Sequence, residues 1–66
     1  MQLIKTSEVI EMTTLSRASL YRYMQAGLFP RNVSLGGGAI AWSQEEVEAW
    51  IMKRLQDRDS SNHRQS

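Results

Sequence analysis

A thirteen-residue stretch, Leu15-Ser16-Arg17-Ala18-Ser19-Leu20-Tyr21-Arg22-Tyr23-Met24-Gln25-Ala26-Gly27, carries its own start and stop signals and sorts its side chains onto two faces. Ser16 stands where an N-cap hydroxyl serves the orphan amides of a first turn, and Gly27 stands where a left-handed residue closes a helix. At about 100° per residue, Arg17, Ala18, Tyr21, Arg22 and Gln25 fall within an arc of roughly 140°, and Leu20, Tyr23 and Met24 fall on the other side. One face is cationic and hydrogen-bonding, and the other is apolar. The spacing predicts a helix of about three turns over Ser16 to Ala26, with its polar face projecting outwards.

Taken alone, an amphipathic helix with two outward arginines is a solvated surface helix. The charge around it argues for more. Between Glu11 and Glu45 the chain holds no carboxylate, while Arg17, Arg22 and Arg31 all lie there. A solvated surface mixes its signs, whereas a surface that faces an anion excludes carboxylates because each would repel a phosphate. The overall charge of +1 conceals this division: residues 1–44 set four cations against two carboxylates, and residues 45–66 set four against five.

Upstream, Thr6 or Ser7 can cap a short helix reaching about Thr13, with Val9, Ile10 and Met12 inward and Glu8 near the positive end of its dipole. The break at Thr13 to Leu15 is short enough for two helices to cross steeply, which is helix-turn-helix spacing. The first helix then braces the second through Val9, Leu20 and Met24. Downstream, Pro30 ends any helix and biases Phe29 towards extended backbone, so Leu28 and Phe29 are expected to plug the core. Val33-Ser34-Leu35 and Ala39-Ile40-Ala41-Trp42 alternate around Gly36-Gly37-Gly38 and read as a two-stranded β-hairpin. Its inward face is expected to carry Val33, Leu35, Ile40 and Trp42.

Ser43-Gln44-Glu45-Glu46 is a capping box, with Trp42 and Val47 as its hydrophobic staple. Val47, Trp50, Ile51 and Leu55 follow at helical spacing, which assigns both tryptophans to the core. From Asp57 the chain is polar without apolar periodicity, so a frayed or disordered tail is expected. The expected fold is α+β: a small winged helix-turn-helix domain over residues 1–56, followed by a tail over 57–66.

Sixty-six residues limit the chain to one small domain of modest stability. No cysteine is present and the single histidine, His63, lies in the polar tail. No catalytic or metal-binding constellation emerges, and no cofactor is expected. The apolar runs are too short for a membrane span and the start lacks a signal-peptide core, so a cytoplasmic protein is expected.

The segments Leu15-Ser16-Arg17-Ala18-Ser19-Leu20-Tyr21-Arg22, Gly27-Leu28-Phe29-Pro30, Val33-Ser34-Leu35-Gly36-Gly37 and Trp42, then Glu46-Val47-Glu48-Ala49-Trp50-Ile51, resemble the AlpA family of prophage regulatory proteins. The resemblance runs from about Leu3 to Leu55. It implies a minimal winged helix-turn-helix, related to the DNA-binding part of MerR-type regulators and to phage excisionases. It further implies a transcriptional regulator of prophage genes, an excisionase that directs an integrase, or both. Carried over by residue, it makes Ser16 to Ala26 the groove-entering helix and Arg17, Ser19, Tyr21 and Arg22 its DNA contacts. Family members commonly carry arginine at the positions held here by Gly38 and Ala41, so this wing departs from the pattern and brings no charge.

The expected interface with double-stranded DNA therefore comprises Ser16, Arg17, Ser19, Tyr21, Arg22, Gln25 and Arg31. Arg17 or Gln25 reads a base edge, and Tyr21, Arg22 and Arg31 hold the backbone. Three to four phosphate contacts imply a salt slope near about −3 and roughly micromolar affinity for one copy. Such weak binding calls for cooperative binding or oligomerisation on DNA, or for a partner such as an integrase or RNA polymerase. The reading from another class is a winged-helix adapter that binds protein rather than DNA. It would show an exposed apolar patch, and the sequence suggests none beyond Met52.

Overall fold

The elements of the computed structural model, which describes the backbone of residues 1–65 and the side chains of residues 1–60, alternate short strands with helices. In chain order they are β1 (Leu3–Ile4), α1 (Thr6–Thr13), α2 (Arg17–Gln25), β2 (Val33–Gly36), β3 (Ala39–Ser43) and α3 (Gln44–Gln65). The result is the expected small α+β fold of winged helix-turn-helix type.

Three residues, Thr14 to Ser16, separate α1 from α2. The cap of α1 falls at Lys5 rather than at Thr6 or Ser7, because Glu8 reaches back and its Oε1 accepts from the Lys5 amide at 3.2 Å. At the other end Thr14 takes a left-handed conformation with φ of 60°. The Thr13 hydroxyl ties the turn together by donating to the Val9 carbonyl at 2.8 Å and accepting from the Leu15 amide at 3.3 Å. Ser16 then caps α2 as expected, its Oγ accepting from the Ser19 amide. The helix closes in a Schellman motif: the Leu28 amide donates to the Tyr23 carbonyl at 2.8 Å and the Gly27 amide to the Met24 carbonyl at 3.1 Å. This geometry needs positive φ at Gly27, which has 77°.

The sheet differs from expectation in having three strands. Its order is β1-β3-β2, antiparallel throughout, with Ile4 opposite Trp42 and Val33 opposite Ala41. The hairpin alone would leave one edge of β3 unpaired; β1 fills it, and the Gln44 amide continues the pairing by donating to the Gln2 carbonyl at 2.8 Å. At the wing tip, Gly37 and Gly38 have φ of 60° and 82°, which makes the two-residue turn of type I′.

Six buried side chains form the core, and each comes from a different segment: Ile4 of β1, Val9 of α1, Leu20 of α2, Phe29 of the connector, Trp42 of β3 and Val47 of α3. β2 contributes none. Val33 and Leu35, expected inward, are 41% and 55% exposed. Residues opposite one another share a face, so Val33 lies with Ala41 and Leu3 on the side away from Trp42. Leu35 is displaced by a bulge between Ser34 and Gly36. Leu28, expected to plug the core beside Phe29, is 57% exposed, and Met12 and Leu55 are also partly uncovered. The exposed apolar surface is thus wider than the sequence suggests.

Ser43 starts α3 as expected, with its Oγ accepting from the Glu46 amide at 3.4 Å. The helix does not fray at Asp57 but continues to Gln65. Once a helix is nucleated by packed turns, each added residue gains one backbone hydrogen bond, and Arg58 pairs with Asp59 at 2.9 Å along this exposed extension. Ser66 and the side chain of His63 lie outside the described residues. No helix among the described residues is long and apolar enough to cross a membrane.

Candidate nucleic-acid interface

The outward face of α2 is built around a short hydrogen-bonded chain. Ser16 Oγ accepts from the Ser19 amide at 3.2 Å and donates to Ser19 Oγ at 3.0 Å, and Arg22 Nη2 donates to that same Ser19 oxygen at 3.4 Å. Spacing of three residues places these groups one above the other. The cap thereby steadies the guanidinium two turns on, while Ser19 keeps its own hydroxyl hydrogen available to an external acceptor. Arg17 and Gln25 flank the chain and both are exposed.

The electrostatics favour an anion here. The first turn of α2 carries no carboxylate, so nothing neutralises the positive end of its dipole. Among the described residues the one ion pair is Arg58 with Asp59, which leaves Arg17, Arg22 and Arg31 without a carboxylate partner. An exposed guanidinium with no internal partner retains its full capacity for bidentate contact with a phosphate or a base edge.

Four of the seven expected site residues, Ser16, Arg17, Arg22 and Gln25, are exposed on one helix or its cap, and Ser19 is half-buried among them. Tyr21 belongs elsewhere. It is half-buried and packs edge-on against Trp42, with ring centroids 6.2 Å apart, so it braces α2 on the sheet. Arg31 is exposed on the connector ahead of β2, where it lines a shallow depression together with Glu46, Trp50 and Lys53, so one carboxylate stands beside these two cations. Lys53 is a further cation beside the site, and no local signal reveals it, because it comes to the same depression as Arg31 from 22 positions along the chain.

The connector that places Arg31 is fixed by both tryptophans. Trp50 Nε1 donates to the Leu28 carbonyl at 2.7 Å and Trp42 Nε1 to the Pro30 carbonyl at 3.1 Å. Phe29 lies between, edge-on to Trp50 with centroids 4.9 Å apart. These contacts hold the segment between α2 and the wing at two carbonyls two residues apart. At the wing tip, Gly36, Gly37 and Gly38 are exposed and bring only backbone, and Ala41 is buried.

Comparison with known proteins adds a family to this arrangement. Residues 2–55 match the family described as Prophage CP4-57 regulatory protein (AlpA). The chain is also 40% identical over 55 residues to "Uncharacterized protein ORF88" of Enterobacteria phage P4, a match that covers 83% of this chain and 62% of that protein. The chain thus spans less than two thirds of the length of this relative. The family match takes in β1, α1, α2, the whole hairpin and the first half of α3, and the chain belongs to the AlpA family of prophage regulatory proteins.

Proposed function

We propose that this prophage regulatory protein works by binding double-stranded DNA, with α2 in the major groove and Arg31 on the backbone beside it. The observation that carries the reading is the stretch between Glu11 and Glu45, which holds no carboxylate and sets Arg17 and Arg22 on the exposed face of the second helix of a helix-turn-helix, Arg22 steadied by Ser19, with Arg31 on the connector that follows. Arg17 or Gln25 reads a base edge, and Arg22 and Arg31 hold phosphates, joined by Lys53 where the duplex passes the connector. The wing, with no cation at Gly38 or Ala41, offers backbone amides alone.

On this reading the protein is a cytoplasmic regulator or excisionase rather than an enzyme. Recruiting a polymerase and shaping a site for an integrase both begin with the same groove contact. Amide chemical shifts titrated with a short duplex at low salt, then at higher salt, test the proposal. Salt-sensitive shifts clustered on Arg17 to Gln25 and on Arg31 are expected. A silent titration would instead favour the adapter reading.

A further inference from the structure

A groove of about 340 Å³ runs between the helix-turn-helix and α3, floored by Met12, Leu15, Tyr23 and Ile51 and bounded by Leu55. Met12 and Leu55 fall on apolar helical positions yet are 37% and 40% exposed. Arg54 stands at the rim, stacked on Trp50 with its guanidinium carbon 4.9 Å from the ring centroid. Arg58 lines the same edge, already paired with Asp59, and no carboxylate lines the groove, so Arg54 is its rim cation without a carboxylate partner. An occupant that presents apolar side chains accompanied by negative charge complements it.

The chain carries such a surface itself. On α3, Glu45, Glu48, Ala49 and Met52 lie at helical spacing and are all exposed, with Met52 at 54%. This ridge lies about 140° around the helix from the groove face formed by Trp50, Ile51, Arg54, Leu55 and Arg58. The two surfaces cannot meet within one copy. They complement each other between copies, with Met52 over the apolar floor and Glu45 and Glu48 against Arg54.

We propose that the groove receives the Glu45–Met52 ridge of a second copy. The contact is heterologous: each copy keeps one ridge and one groove unsatisfied, so copies add head to tail instead of closing into a dimer. It engages a handful of side chains per partner, against roughly 20–30 for a stable interface, so it is weak in free solution. It strengthens when copies are held side by side on a common template. The cationic rim and acidic ridge make it salt-sensitive. Ala49 borders the depression that holds Arg31 and Lys53, but none of the ridge or groove residues is assigned a DNA contact, and the test without DNA separates the association from DNA binding.

Concentration-dependent amide shifts of the protein without DNA test this, read up to about 2 mM, where contacts of millimolar strength become visible. The wild-type chain is expected to shift at Met12, Leu15 and Met52, less so at high salt. Met52→Asp spoils the ridge and Leu55→Asp spoils the groove, and each variant alone is expected to lose the effect, with association at least about tenfold weaker. When labelled Met52→Asp protein is mixed with unlabelled Leu55→Asp protein, shifts at Met12 and Leu15 should return, because an intact groove again meets an intact ridge. Should Leu55→Asp fail to fold, Arg54→Glu at an exposed position replaces it. A wild-type chain that shows no concentration dependence overturns the proposal, and so does a silent mixture. Groove shifts produced only by a synthetic amphipathic peptide of leucine and glutamate would also overturn it, by assigning the groove to another protein.

Discussion

Replacing Arg22 with alanine removes one of the three arginines in the carboxylate-free stretch between Glu11 and Glu45, and the structure fixes what else it removes. The side chain is exposed and makes one internal contact, the 3.4 Å hydrogen bond to Ser19 Oγ. Losing that bond costs at most about 0.5 kcal/mol at an exposed site, and alanine's helix propensity returns a few tenths, so the fold should be unaffected. DNA binding should not be. Each phosphate neutralised contributes about 0.9 to the slope of log affinity against log salt, so Arg22, Arg31 and Lys53 together give about −2.7 and the variant about −1.8. Raising salt fourfold, from about 50 to about 200 mM, should weaken the wild-type chain about 40-fold and the variant about 12-fold. Fluorescence anisotropy on two duplexes of unrelated sequence, over that salt range, measures both slopes. A backbone contact lowers them alike on the two duplexes. An unchanged slope would refute the assignment of Arg22 to a phosphate, and a loss confined to one duplex would make it a base reader instead.

The remaining predictions concern the mount. Ser16→Ala should cost about 1 kcal/mol in urea unfolding, since it removes the acceptor for the Ser19 amide, and should broaden the Arg22 side-chain resonances. Gly27→Ala places a Cβ at φ 77° and should cost about 1–2 kcal/mol, although open space surrounds the site. Thr14→Gly relieves a β-branched residue at φ 60° and should raise stability by about 1 kcal/mol. Trp42→Phe should cost about 2–4 kcal/mol, because it opens space at a fully buried position and strips the Pro30 carbonyl of its donor. Trp50→Phe, at a half-buried position, should cost about 1 kcal/mol.

The features that could be read from the chain are those fixed by near neighbours. Ser16 and Ser43 as caps, Gly27 as the left-handed stop and Gly37-Gly38 as the hairpin turn each depend on residues within about five positions. The outward placement of Arg17, Arg22 and Gln25 followed from helical periodicity alone. Partners distant in sequence decided the rest. β1 is two residues long, has no period to detect, and exists because β3 leaves an edge open. Val33 and Leu35 alternate correctly, but the register sends the first outward and the bulge displaces the second. Tyr21 lies within the polar arc of α2, yet it sits close enough to Trp42 to be drawn in as a brace. Met12 and Leu55 carry the periodicity of a core, and the described residues leave them partly uncovered.

The two indole hydrogen bonds have a consequence for how such a protein diversifies. Leu28 and Pro30 are clamped through their carbonyls, groups every residue possesses, so the two hydrogen bonds are indifferent to which side chains stand at those two positions. The angle between α2 and the hairpin is therefore stored in two tryptophans of β3 and α3. Exposed residues of α2 can be exchanged without disturbing that angle. If α2 enters DNA as proposed, new operator preferences are open to the lineage at little structural risk, while the footprint's pitch along the duplex stays inherited.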